Sequence, residues 1–195
     1  EPVNPYAKTK ATIENILVDI YQSNKDYWRI SILRYFNPIG AHSSGLMGEF
    51  PLGIPNNLFP LILQSCIKNE KIYIYGNDWP TPDGTCIRDY IHIEDLAEAH
   101  IRSLDEEFLD KERFYCLNLG TGIGTSVLEL INNFEKANNL KINFDFASRR
   151  DGDTAILVAD NSQATKKLNW YPKRSLYEMC KDGYKWITNN LKGYD

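Results

Sequence analysis

Tyr6 and Lys10 stand four residues apart, a spacing that in a helix brings two side chains onto one face. A free phenol titrates near 10 and is a poor base at neutral pH, but an ammonium a few ångströms away favours its phenolate. Bringing that value to about 7 takes roughly 4 kcal/mol of differential stabilisation, of which a lysine supplies part. Such a pair could take a proton from a hydroxyl and return it. A tyrosine beside a solvated lysine has the same spacing, so the pattern alone leaves both readings open. Two arginines, Arg88 and Arg150, could together offer planar forks to the oxygens of a diphosphate, although either alone is equally an ordinary surface ion pair. Asn37 ends an apolar run before Pro38, where it can meet a ligand or simply form a turn. Asn56 and Asn57 precede another apolar run and can cap a helix or leave its first N–H groups to a ligand.

These residues need elements to hold them. Asn4-Pro5 opens a helix, because proline fixes φ where its missing N–H costs nothing. Ile13, Ile16, Leu17, Ile20 and Tyr21 recur at helical spacing and predict a helix from Pro5 to about Ser23 with one buried face. The run Ile30 to Phe36 reads as a strand covered on both faces, stopping at Asn37-Pro38. From Gly40 to Pro55 the chain is polar and glycine-rich, a functional loop or a boundary between lobes. A helix is expected from Leu58, with Pro60 tolerable only in its first turn. Ile72-Tyr73-Ile74-Tyr75 alternates before Gly76-Asn77-Asp78, which predicts a short strand and a turn. Tyr73 and Tyr75 share a face that could stack on a planar ring or pack on the core.

Further strands are expected at 114–119 and 141–146. Between them, Gly120-Thr121-Gly122-Ile123-Gly124 superficially suggests a nucleotide loop, but Thr125 stands where that fingerprint has its third glycine. It reads as a structural strand-to-helix turn, with the helix opening at Ser126. Ser175-x-x-Glu178 is a capping box ahead of a helix that buries Leu176, Met179, Cys180 and Ile187.

Of 195 residues, 43% are hydrophobic and 12% aromatic, enough for a substantial core in one domain or two small ones. A net charge of −4 with no long basic run argues against nucleic acid as a partner. No apolar run is long enough to span a membrane. Four cysteines without Cys-x-x-Cys spacing read as free buried thiols in a reducing compartment, which the cytoplasm would supply. His42, His92 and His100 lack metal-ligand spacing, so no metal is expected.

Five segments occur in one order: Asn4-Pro5-Tyr6 with Lys10; Leu33-Arg34-Tyr35-Phe36-Asn37-Pro38; Gly53-Ile54-Pro55-Asn56-Asn57-Leu58; Arg88-Asp89-Tyr90-Ile91-His92; and Arg149-Arg150-Asp151-Gly152-Asp153. Together they resemble the UDP-glucose 4-epimerase family of extended short-chain dehydrogenases/reductases, over essentially the whole chain. The resemblance implies an α/β fold, with the late part of a Rossmann-type NAD-binding domain over 1–40 and a smaller α/β UDP-sugar-binding domain over 41–195. A dinucleotide-binding fold opens on a strand, a glycine-rich turn and a helix, whereas this chain opens on the later Tyr-Lys helix. The sequence therefore looks like the C-terminal portion of its family, and the chain alone is expected to be inactive and not to bind NAD.

The same resemblance implies roles. Tyr6 would exchange the sugar C4 hydroxyl proton; Lys10 would favour its phenolate and hold the nicotinamide ribose; Phe36 would contact the nicotinamide side. Asn37, Asn57 and Leu58 would touch the substrate, and Tyr73, Ile74 and Tyr75 would run along the uracil. Arg88 and Arg150 would take the diphosphate, Asp153 a ribose hydroxyl, and Leu157 would line the hexose pocket near the sugar's 2-substituent. Leu157 stands where the family tends to carry tyrosine or a small residue, so UDP-glucose and UDP-galactose are the expected substrates, with weak turnover of UDP-N-acetylhexosamines. A homodimer is expected at full length. Other implied readings are a related dehydratase or decarboxylase, and a non-catalytic UDP-sugar-binding fragment.

Overall fold

Pro5 begins the first helix, α1 (Pro5–Ser23), and Arg34 ties that helix to the strand that follows, β1 (Ile30–Tyr35), through a fork onto the Glu14 carboxylate. The Arg34 hydrogen bonds hold the Glu14 carboxyl below the usual carboxylate range. In this computed structural model, which describes residues 5–53, 55–105 and 112–194, α1 has no buried residue. The expected buried face is a correction: Leu17, Ile20 and Tyr21 are half-buried, while Ile13 and Ile16 are exposed. Tyr21 packs on Phe114 at 5.0 Å between ring centroids. Asn4 and Ile54, quoted among the motifs above, lie outside the described residues.

The strand β1 pairs in parallel with β6 (Phe114–Leu119), Ile30 opposite Phe114 and Tyr35 opposite Leu119. It is not covered on both faces, since only Ile32 within it is buried. As expected, β1 ends before Asn37-Pro38, but the chain stays extended. It continues after Phe36 into β2 (Asn37–Ile39), which pairs in parallel with β5 (Tyr90–His92). The partners of both β1 and β2 thus lie beyond residue 40.

The helix α2 (Leu58–Lys68) starts where expected, with Pro60 in its first turn, and β3 (Ile72–Tyr75) follows. The predicted strand at 141–146 begins later, as β8 (Phe144–Ala147), parallel to β3. A small mixed sheet joins β4 (Ile87–Arg88) to β7 (Thr125–Ser126) antiparallel and to β9 (Ile156–Leu157) parallel. The remaining helices are α3 (Ile93–Ser103), α4 (Val127–Asn138), α5 (Ser162–Leu168) and α6 (Leu176–Asn189). Ser126 and Ser175 each form a complete capping box, with Glu129 and Glu178.

Two cores result. One packs Phe59 and Ile62 of α2, Ile72 and Ile74 of β3, Phe134 of α4 and Trp186 of α6. The other packs one face of β6, through Tyr115, Leu117 and Leu119, against Leu96 and Ala99 of α3, Ala164 and Leu168 of α5, and Trp170. No helix among the described residues is long and apolar enough to cross a membrane.

Candidate active site

Tyr6 projects from the first turn of α1 and is 72% exposed, with the Lys10 Nζ 5.3 Å from its ring centroid. Both side chains border a cleft of about 1490 Å³. The helical spacing thus delivers the pair to one face, and that face opens on a space able to hold a ligand.

The cleft is also lined by the C-terminal end of β1, where parallel α/β sheets bind ligands, and by the start of β2. Phe36 is half-buried, its N–H donating to the Leu119 carbonyl at 3.1 Å. The Asn37 N–H donates to the Asp89 carbonyl at 2.9 Å, and Phe36 and Asn37 both line the cleft. Asn57 is the N-cap of α2 by position, but its side chain makes no capping bond, so capping does not account for it. Leu58 follows it on the cleft wall. On β3 the alternation holds: Tyr73 and Tyr75 are exposed toward the cleft, while Ile74 is 3% exposed and packs in the core. Ile74 lines the cleft along with its neighbours although its side chain packs in the core.

Arg88 and Arg150 meet at Asp153. The Arg150 Nε donates to Asp153 Oδ2 at 3.1 Å, and the Arg88 Nη2 lies 3.6 Å from Oδ1. Arg88 also donates to the carbonyls of Thr154 (2.8 Å) and Ile87 (2.9 Å), and the Arg150 guanidinium sits over the Tyr75 ring at 4.7 Å. All three charged residues border the same cleft.

The glycine-rich turn after β6 does something else. Its N–H groups at Thr121 and Gly122 donate to the buried Asp89 carboxylate, both at 2.8 Å, joined by the Thr121 hydroxyl at 2.6 Å and the Ala159 N–H at 3.1 Å. A Cβ at Gly120 would come within 2.6 Å of Asp89 Oδ2, so glycine is needed for that approach. The anion held by this loop belongs to the protein, which agrees with the structural reading of the turn.

Leu157 is not among the cleft residues. It sits on β9 opposite Arg88, half exposed and outside both cores. Conversely, the sequence reading passed over His100, whose Nε2 lies 2.7 Å from the Tyr35 hydroxyl at the end of β1. Its Nδ1 faces the Leu96 carbonyl at 2.8 Å, and both Tyr35 and His100 border the cleft. Histidines had been weighed only for metal spacing, and nothing local links residue 100 to residue 35. Burial pushes the Cys86 thiol and the Tyr90 phenol upward beside Arg88, so neither is a ready base. Among the described residues no His, Cys, Asp and Glu group forms a metal-binding cluster.

A Rossmann-like set of parallel pairings, with a Tyr-Lys pair and two arginines on one cleft, defines an α/β enzyme fold of the extended short-chain dehydrogenase/reductase class. The chain belongs to the GDP-mannose 4,6 dehydratase family of that class, which matches residues 1–183. It is 47% identical over 192 residues to the UDP-glucose 4-epimerase of Bacillus subtilis, covering 98% of this chain and 56% of that protein. Among solved structures it is similar to UDP-glucose-4-epimerase from Stenotrophomonas maltophila with bound NAD and formylated UDP-arabinopyranose. That match has a TM-score of 0.92 and 43% identity, covering 100% of this chain and 57% of the other. The Bifidobacterium longum UDP-glucose 4-epimerase in complex with NAD+ and UDP has the same TM-score and identity, at 98% and 57% coverage. The chain thus spans somewhat over half the length of these relatives.

Proposed function

We propose that this chain carries the UDP-sugar-binding part and the Tyr6–Lys10 pair of an NAD-dependent UDP-glucose 4-epimerase. One observation carries the reading: a single cleft gathers Tyr6, Lys10, Phe36, Asn37, the α2 start, β3, Arg88, Arg150 and Asp153 from separated segments. Its relatives' names and their bound NAD and UDP support the same assignment. Full-length homodimers in the cytoplasm belong to this reading, and the exposed Ile13 and Ile16 on α1 offer a surface for pairing.

The residues fit NAD, because a Tyr-Lys pair and the end of a parallel strand face the same space. Tyr6, Lys10 and Phe36 would hold NAD, which would supply a reversible hydride acceptor for the sugar C4. Tyr6 takes the C4 hydroxyl proton as oxidation proceeds and gives it back on reduction. Lys10 holds positive charge beside that oxygen. Arg88 and Arg150 grip the diphosphate so that the ketone stays bound, while Asn37 and Asn57 leave the hexose room to rotate.

Calorimetric titration of UDP into the chain tests the binding half, with Arg88→Ala and Arg150→Ala each expected to weaken it by about tenfold or more. Absence of UDP binding overturns the reading. The catalytic half is tested by interconversion of UDP-glucose and UDP-galactose with NAD, in a polypeptide that also carries a dinucleotide-binding segment.

A further inference from the structure

Arg88 and Arg150 approach one carboxylate from two sides, each on its own oxygen of Asp153. The side chains of Arg88 and Asp153 are only 15% and 22% exposed, so the Arg88 charge is largely shielded from water, whereas Arg150 is 53% exposed. Without a carboxylate between them they would repel and spread. Each arginine has a second grip: carbonyls at Ile87 and Thr154 for Arg88, the Tyr75 ring face for Arg150. Those grips fix each guanidinium separately, and only Asp153 joins the two.

We infer that Asp153 is a positioning residue that stands in for the diphosphate before ligand arrives, holding Arg88 and Arg150 together, and that it exchanges them for a ribose hydroxyl when the nucleotide enters. The inference rests on the UDP-sugar reading and adds a sequence of events to it. A diphosphate arriving alone must take the arginines from Asp153 and leave that carboxylate unpaired beside a second anion. A nucleoside diphosphate brings O–H donors that can satisfy the displaced carboxylate. The empty site is thereby kept in shape for the nucleotide and set against bare phosphate anions.

The test is calorimetry on the 195-residue chain with inorganic pyrophosphate and with UDP, comparing wild type, Asp153→Asn, Arg150→Gln and the double variant. Asp153→Asn is expected to tighten pyrophosphate by about tenfold, the scale of one partly exposed ion pair. UDP should not share that gain, and in the Arg150→Gln background the gain should shrink. A residue serving only to hold the loop together would weaken both ligands alike. Unchanged or weaker pyrophosphate binding to a folded Asp153→Asn protein overturns the inference, as does a gain that persists without Arg150. Should Asp153→Asn melt early, Asp153→Ser carries the same expectation. Failure of UDP to bind wild type overturns the functional reading as well, whereas UDP binding with no pyrophosphate gain removes the inference alone.

Discussion

The amide of Asn37 is hydrogen-bonded to the carbonyl of Asp89, and this bond sets the end of β2 beside the residue that follows Arg88. Asp89 also closes the glycine-rich turn with its carboxylate, so one residue joins β2, β5, the turn after β6 and the segment that leaves β9. Replacing it with alanine strands the buried Ala159 N–H, the more accessible Thr121 and Gly122 N–H groups and the Thr121 hydroxyl. Asp89→Ala should cost about 3–5 kcal/mol in urea unfolding. A loss below about 1 kcal/mol would mean that water can replace the carboxylate.

Tyr6 makes no core contact, so Tyr6→Phe should leave stability within about 0.5 kcal/mol and UDP affinity unchanged. Turnover, measured with NAD in a polypeptide carrying the dinucleotide-binding segment, should fall by about 100-fold to 10,000-fold. Retention of more than about a tenth of the activity would remove Tyr6 from the role of base.

Leu157, which the resemblance puts on the hexose pocket, is 50% exposed and lies outside both cores. Leu157→Ala should therefore not incur the roughly 2–5 kcal/mol of a core truncation. If the position faces the sugar's 2-substituent, Leu157→Ala should raise turnover of UDP-N-acetylglucosamine and Leu157→Tyr should suppress it. Each step should be worth about 1–3 kcal/mol in discrimination, read from kcat/KM on both substrate pairs. An unchanged ratio would end the gate hypothesis.

His92 is buried, and burial pulls its imidazole below the ordinary value of 6.5, more than the facing Asp182 and Glu94 carboxylates raise it. Its Nδ1 accepts from the Glu94 N–H at 3.0 Å, which caps α3 with the neutral ring. The unfolded chain thus takes up a proton before the folded one does. The stability from the neutral ring is present above about pH 6.5 and is lost as pH falls from there through the lower folded value. The carboxyls of Glu94, Glu98, Glu135 and Glu178 are held below their usual range, so their contribution is lost only at more acid pH. Urea midpoints should fall between pH 7 and about 5.5, and His92→Gln should flatten that slope. An equal slope in the variant would assign the effect elsewhere.

Local chemistry made much of this legible. The Tyr6–Lys10 face, the start of α2 at Leu58, the β3 alternation and both serine capping boxes follow from spacing within a few residues. The burial of α1 and β1 did not, because an apolar period says which face wants cover and not what covers it. The meeting of Arg88 with Arg150, and of Tyr35 with His100, depends on chain segments far apart in sequence. Motif order suggested the first pair and nothing suggested the second. The role of the glycine-rich turn became clear only once Asp89 was seen inside it.

The pairing of β1 with β6 also sets a schedule for making the protein. Ile30 finds Phe114 only after roughly eighty more residues have been added, which at about 5–20 residues per second on a ribosome is some 4–16 s. Until then the edge of β1 that β6 covers emerges from the tunnel without that partner. A nascent chain arrested before residue 114 should therefore engage holdase chaperones through residues 13–35, and release them once β6 has cleared the exit.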